Sequence, residues 1–367
     1  MLIGKVISIW PGRKLVTEAL LTSFCDRRHG HKGKSLARQN ILHVFLKEGS
    51  VSSRQIIVQT AIEREPLAEG MIYTHEHLWL NLSTARDPAG KLDQFELIVE
   101  EIRTLKALGV AAIMELSCLG MGRSIEHLQR IQLATGVQII PATGYYHQGF
   151  HPQSLRTASV EQIAESLARE LTNGCEGTSV RPMLLGEIGG SGDPLHKDEV
   201  KVFKAVASLA RQFPVVVTTH AHLGGGAQKE LDLLLAGGIA PERILIGHLD
   251  LCPSLEEVLR IAQQGAYVGF DTVGKQSYAP DQRRIEYIKA FIEAGLAERI
   301  LLSCDISRNA YLRANGGQGY AHLIQTFLPM LTEQGIAPAT IKLLTEENPR
   351  RFLAAAALPL ANPGGMS

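Results

Sequence analysis

Met71-Ile72-Tyr73-Thr74-His75-Glu76-His77 opens on apolar residues and closes on two histidines. Seven further short runs follow it, at 111–117, 138–145, 183–189, 215–220, 244–249, 267–272 and 300–305. They are rich in Val, Ile and Leu and show no polar alternation, as expected of strands buried on both faces. Amphipathic stretches separate them. In 92–108 the apolar residues Leu97, Ile98, Ile102, Leu105 and Leu108 share one helical face, and 161–171, 198–211, 229–236, 255–263 and 282–294 read the same way. Gly109, Gly174, Gly265 and Gly295 stand where four of these helices should stop. Strand and helix alternating eight times predict an α/β fold, a (β/α)8 TIM barrel. An open doubly wound sheet alternates too, but no G-x-G-x-x-G turn follows the first strand.

On a strand, residues two apart share a side, so His75 and His77 can face the barrel interior together while Glu76 faces out. The H-x-H pattern alone is equally well read as a pair of hydrogen-bonded core histidines. Its company changes the reading. Later runs end in Gly186-Glu187-Ile188-Gly189, Thr218-Thr219-His220, Ile246-Gly247-His248 and Ser303-Cys304-Asp305. A carboxylate at the end of an apolar strand is costly unless it is paired or bound to a cation. The intervals are 110 residues from His77 to Glu187, 28 from His220 to His248 and 57 from His248 to Asp305, each close to whole strand–helix units. Four histidines and two carboxylates thus converge at the carboxyl ends of the strands, where barrel active sites are built, and together they compose a two-metal site.

With these stretches, and with Gly269-Phe270-Asp271-Thr272, Asn315-Gly316-Gly317-Gln318-Gly319-Tyr320 and Glu347-Asn348-Pro349, the chain resembles the phosphotriesterase family of the amidohydrolase superfamily over residues 55–355. It is most similar to the phosphotriesterase-homology and phosphotriesterase-related branch. The resemblance implies that His75, His77 and Asp305 bind a more buried ion, that His220 and His248 bind a more exposed one, and that a fourth-strand carboxylate bridges them. Organophosphate-hydrolysing members bridge with a carbamylated lysine; here the position holds Glu187. They also carry a histidine after the seventh-strand aspartate, where this chain has Thr272, so a proton relay through that histidine is absent. The cofactors implied are two divalent metal ions, expected to be zinc. Two ions sharing a water would lower its pKa and supply a hydroxide nucleophile near neutrality. Asp305 would take the proton and pass it to the leaving group.

Substrate-binding candidates are Tyr145 or its neighbour Tyr146 at the end of the third strand, Asp271, and the cations Lys275 and Arg308 in the loops after strands seven and eight. Asp271 could hold a substrate hydroxyl or position Arg308. His147, His151 and His222 read as surface histidines and Gly224–Gly226 as a flexible turn. The expected activity is hydrolysis of an ester bond in a lactone, carboxylic ester or phosphoester. An amidase acting on N-acyl amines and a silent binding protein on the same scaffold are the alternatives.

The 37 Lys/Arg and 37 Asp/Glu residues balance, so charge points to no nucleic-acid or membrane partner. A small-molecule substrate and a cytoplasmic setting are expected, and the resemblance implies a homodimer. Cys25, Cys118, Cys175, Cys252 and Cys304 form no C-x-x-C pair, which fits buried thiols in a reducing compartment. The first fifty residues stand apart, with nine Lys/Arg against three Asp/Glu. Residues 1–54 are read as an extension outside the fold, either a basic arm or sequence upstream of a true start near Val51. Residues 55–357 form the barrel, and 358–367 a frayed tail.

Overall fold

The computed structural model describes residues 55–357; the expected extension at 1–54 and tail at 358–367 lie outside the described residues. Eight parallel strands form one sheet in sequential order: β1 Met71–Glu76, β2 Val110–Glu115, β3 Gln138–Thr143, β4 Leu184–Gly190, β5 Val216–Ala221, β6 Ile244–Gly247, β7 Tyr267–Phe270 and β8 Ile300–Leu302. The sheet curls back on itself. Asp305 N donates to His75 O at 3.2 Å and Thr74 Oγ1 to Leu302 O at 3.0 Å, which brings the last strand against the first. The fold is the (β/α)8 barrel that the alternation predicts.

Seven helices cover the outside: α1 Phe95–Ala107, α2 Ile125–Thr135, α3 Val160–Asn173, α4 Lys197–Ala210, α5 Ala227–Ala236, α6 Leu255–Gln263 and α7 Asp281–Glu293. A helical segment at 323–357 completes the eighth unit. Their ends follow local chemistry. Ser124, Ser159 and Ser254 cap α2, α3 and α6 by accepting from the backbone one turn on. The four glycines expected at helix ends all adopt positive φ. The sequence pattern overlooked α2, although Ser124 and the buried Ile125, Leu128 and Ile131 mark it, and 323–357, where the last segment mixes α and π turns. Among the described residues no helix is long and apolar enough to cross a membrane.

The strands bury both faces. One cluster collects a residue from every strand, among them Ile72, Met114, Ile140 and Leu184, and fills the barrel; the intervening residues, such as Tyr73, Ile113, Ile139 and Leu185, pack outward against the helices. Two strands break this alternation near their carboxyl ends. The pairing register shifts between Tyr73 and Glu76 in β1 and between Leu185 and Ile188 in β4. A bulge re-aims the side chains that follow it. After these shifts His75, His77 and Glu187 point into the barrel mouth, where unbroken alternation would have sent Thr74 and Gly186.

Candidate metal centre and cavity

Five strand ends bring the six residues together in one buried ring. His75 Nε2 stands 3.4 Å from Glu187 Oε2; His77 Nε2 stands 3.3 Å from Glu187 Oε1 and 3.4 Å from Asp305 Oδ1. His220 Nδ1 lies 3.1 Å and His248 Nε2 3.8 Å from Glu187 Oε2, and these two nitrogens are 2.8 Å apart. Most of these separations are long for hydrogen bonds, yet two ligands each ~2.1 Å from one ion at the tetrahedral angle sit ~3.4 Å apart. His75 Nε2 is buried with no hydrogen-bond partner, an expensive state for an imidazole nitrogen unless it faces an ion. His75, His77 and Glu187 form one potential ion-holding group; Glu187, His220 and His248 form another. The donor set therefore fits two cations that share Glu187.

A second layer orients this ring. Asp271 lies between two imidazoles, with Oδ2 2.9 Å from His75 Nδ1 and Oδ1 2.8 Å from His248 Nδ1, and it also accepts from His248 N at 3.0 Å. An imidazole that gives its Nδ1 proton to a carboxylate presents Nε2 as a lone pair. His77 Nδ1 is held in the same way by Ser117 Oγ at 3.0 Å, and Ser117 donates in turn to Glu115. Glu76 faces away from the ring as expected, but it is fully buried, not solvated. It accepts from Ser303 Oγ, Cys304 N and Ile306 N at 2.7–2.8 Å, gripping the chain on both sides of Asp305. Burial lifts the Glu76 carboxyl to about 7 against those three donors.

Local backbone serves the same end. His248 and Asp305 take positive φ, 59° and 51°, a conformation that His and Asp adopt more readily than most side chains. Gly186 lets β4 approach β5, since a Cβ there would lie 1.8 Å from Thr218 Oγ1.

The electrostatics favour cations. Burial pushes the His75 imidazole down, but Asp271 and Glu187 outweigh it and hold it at about 10. The same contest, with Asp305 and Glu187 as anions, holds His77 at about 10. Burial and the facing His248 depress His220 to about 4. Against burial, Asp271 and Glu187 likewise hold His248 at about 10, so Glu187, Asp271 and Asp305 draw positive charge into the ring, which protons supply here and divalent ions would supply in their place.

Above it opens a cavity of about 350 Å³. Its lining includes His77, Glu187, His220, His248 and Asp305 at the bottom and Leu82, Phe150, Leu223 and Leu251 on the apolar side. Of the tyrosine pair, Tyr146 lines the cavity, with its hydroxyl 3.3 Å from His220 Nε2, whereas Tyr145 turns its hydroxyl to Ser166 Oγ at 3.2 Å. Strand β3 ends before Gly144, so no alternation told the two apart. Asp271 is fully buried with its oxygens committed to the two histidines, and it neither faces the cavity nor meets Arg308. Lys275 lines the cavity but spends its charge on Asp305, with Ser307 Oγ at 3.4 Å. Arg308 pairs with Asp87 at 2.6 Å across the mouth. His147 and His222 also line the cavity, His222 as the exposed residue the surface reading expects and His147 half-buried; His151 instead contacts Tyr146 O at 2.6 Å. Gly224 is no loose turn, because a Cβ there would sit 2.3 Å from Cys252 N. Cys118, Cys175, Cys252 and Cys304 are free buried thiols, and Cys25 lies outside the described residues.

A barrel whose mouth gathers imidazoles and a central carboxylate at ion-sharing distances below an open cavity defines a class, the metal-dependent hydrolases of this architecture. Within that class the chain belongs to the phosphotriesterase family, which it matches over residues 57–353. It is 36% identical over 284 residues to the phosphotriesterase homology protein of Escherichia coli, an alignment covering 77% of this chain and 97% of that protein. The crystal structure of that protein, complexed with phosphate in its active site, superposes with a TM-score of 0.76 over 77% of this chain and 98% of its own. Human N-acetyltaurine hydrolase is 30% identical over 309 residues, covering 80% of this chain and 87% of that one. A mutant of the Deinococcus radiodurans PTE-like lactonase is 27% identical, with a TM-score of 0.73, 81% of this chain covered and 99% of that chain.

Proposed function

We propose that the protein hydrolyses ester bonds, in a lactone, carboxylic ester or phosphoester, with two divalent ions held by His75, His77, Glu187, His220, His248 and Asp305. The observation that carries this reading is the position of Glu187, whose two oxygens face different histidines of the ring at 3.1–3.8 Å. Bound there, zinc or a similar ion would acidify water and polarise the substrate oxygen.

The chain's own groups do the rest. Asp305 takes the proton from the attacking water and delivers it to the leaving group. Lys275 and His77, together with its positive-φ backbone, hold its carboxylate in place. Burial opposes ionisation of Asp305, but Lys275 and His77 hold its acidity well beyond the usual carboxylate range, so it works by position rather than by basicity. The Tyr146 hydroxyl, beside His220, donates to the substrate oxygen. Arg308 meets the distal part of the substrate at the mouth. Leu82, Phe150, Leu223 and Leu251 give the cavity an apolar lining for the hydrocarbon part of the substrate. The lactonase relative supports an ester.

A second reading, hydrolysis of an N-acyl amine, is favoured by the 30% identity to N-acetyltaurine hydrolase. One panel of lactones, aryl esters, phosphodiesters and N-acyl amines separates the two. Turnover of at least one ester well above every amide supports the first reading, and amide turnover above all esters replaces it with the second.

A further inference from the structure

The cavity wall carries two long cationic side chains, Lys275 and Arg308, and they differ in availability. Lys275 is buried and bound to Asp305. Arg308 is 36% exposed and holds Asp87, itself 40% exposed, through a single contact between Nη1 and Oδ2 at 2.6 Å. The rest of its guanidinium fork is left to the mouth.

Asp87 is placed by a short closed loop between Leu80–Asn81 and Lys91–Leu92. Asp87 N donates to Thr84 Oγ1 at 3.0 Å, Thr84 N to Asp87 O at 3.0 Å, and Leu82 N to Gly90 O at 2.6 Å. The base of this loop is tied to the residue next to Arg308. Asp93 N donates to Asn309 Oδ1 at 2.9 Å, and Asn309 Nδ2 to Asp93 Oδ1 at 2.7 Å. Both partners of the ion pair are therefore fixed by their own segments, and the pair spans the entrance without being required to hold those segments together.

An exposed pair held by one contact is weak in water, whereas a planar carboxylate meets a guanidinium through two parallel hydrogen bonds. An incoming carboxylate can displace Asp87, but it must compete with it. We propose that Asp87 is a specificity-determining residue, an internal competitor for Arg308 that sets the threshold for substrates bearing a carboxylate remote from the scissile bond. This rests on the hydrolase reading above and names the substrate class within it: esters or amides of dicarboxylate type. Neutral substrates gain nothing from Arg308 and feel Asp87 little.

Calorimetric binding to the metal-loaded protein tests this without turnover. Acetate brings one carboxylate to the site; succinate and glutarate bring a second at two reaches. Asp87→Asn should raise the ratio of the better dicarboxylate's affinity to that of acetate by up to about fivefold, the upper weight of one exposed ion pair. Arg308→Gln should abolish the dicarboxylate advantage, and adding Asp87→Asn to it should change nothing further. Asp87→Ser serves as a second variant should the first fail to fold. An unchanged ratio in the Asp87 variants, or the same rise without Arg308, overturns the proposal. Metal content is measured on the same samples. A parent protein that binds no divalent ion refutes the hydrolase reading, while a normal metal content with an unchanged ratio refutes the Asp87 assignment alone.

Discussion

The floor and the mouth of the cavity are built on opposite terms. At the floor every ligand candidate is buried and most are held by a further buried partner: His75 and His248 by Asp271, His77 by Ser117, and the Asp305 segment by Glu76. At the mouth the groups are half-exposed: the Arg308–Asp87 pair, Tyr278 at 48% exposure and Leu223 at 52%. Fixing a ligand to within a fraction of an ångström needs rigid strands and a supporting layer. Choosing among substrates needs loops that can change without disturbing that layer. The floor therefore sets what chemistry occurs, and the mouth sets what is admitted to it.

Substitutions should separate the two regions by the size of their effects. Glu187→Ala removes the one carboxylate shared by both halves of the ring. It should lower kcat/KM on the order of a thousandfold, the several kcal/mol that metal ions contribute to such a transition state. A variant retaining a tenth of parental activity would detach Glu187 from the chemistry.

Arg284 is fully buried beneath the floor, bonded to Asp250, Asp281, Thr272 and Ala279 O. Arg284→Ala leaves buried Asp250 without its counter-charge, while Asp281 keeps His322 at 2.8 Å, and should cost about 3–5 kcal/mol in urea unfolding. A loss below 1 kcal/mol would show that the network does not brace the strand ends.

Asp271→Asn keeps the shape but loses the charge that both histidines face. Competition with a chelator should show metal affinity falling ~10–100-fold. Unchanged affinity would reduce Asp271 to packing. The smallest of these effects belongs to Tyr146→Phe, which removes one hydroxyl beside His220 and should lower kcat/KM by up to about tenfold, the weight of one hydrogen bond, with metal content untouched. A matching loss of metal would move Tyr146 from the substrate to the floor.

The same division decides how far the sequence could be read. The barrel follows from eight apolar runs, because strands buried on both faces leave an unmistakable pattern. The polar residues closing those runs identify the ring, since whole-unit spacing brings strand ends to one level. What the pattern lacks is parity and loop geometry. Register shifts in β1 and β4 turn His75 and Glu187 inward, and a simple count from Ile72 or Leu184 would have turned them out. Asp271 reads as a cavity residue because it ends a strand like the others, yet it lies behind its neighbours as their support. Tyr145 and Tyr146 follow Gly144, beyond the regular ladder of β3, where Tyr145 keeps only an isolated bridge to Leu119 and no sequence periodicity distinguishes the two. Asp87 sits in a nine-residue loop, 82–90, and meets Arg308 across 221 residues of sequence, a pairing that only the folded chain displays.

Metal content per chain, measured by elemental analysis after zinc reconstitution and removal of free ion, tests the central claim most directly. The account predicts close to two ions per chain in the parent protein and a clear fall in Glu187→Ala, with both proteins folded by circular dichroism. A folded parent protein that retains no zinc or other divalent ion would contradict it.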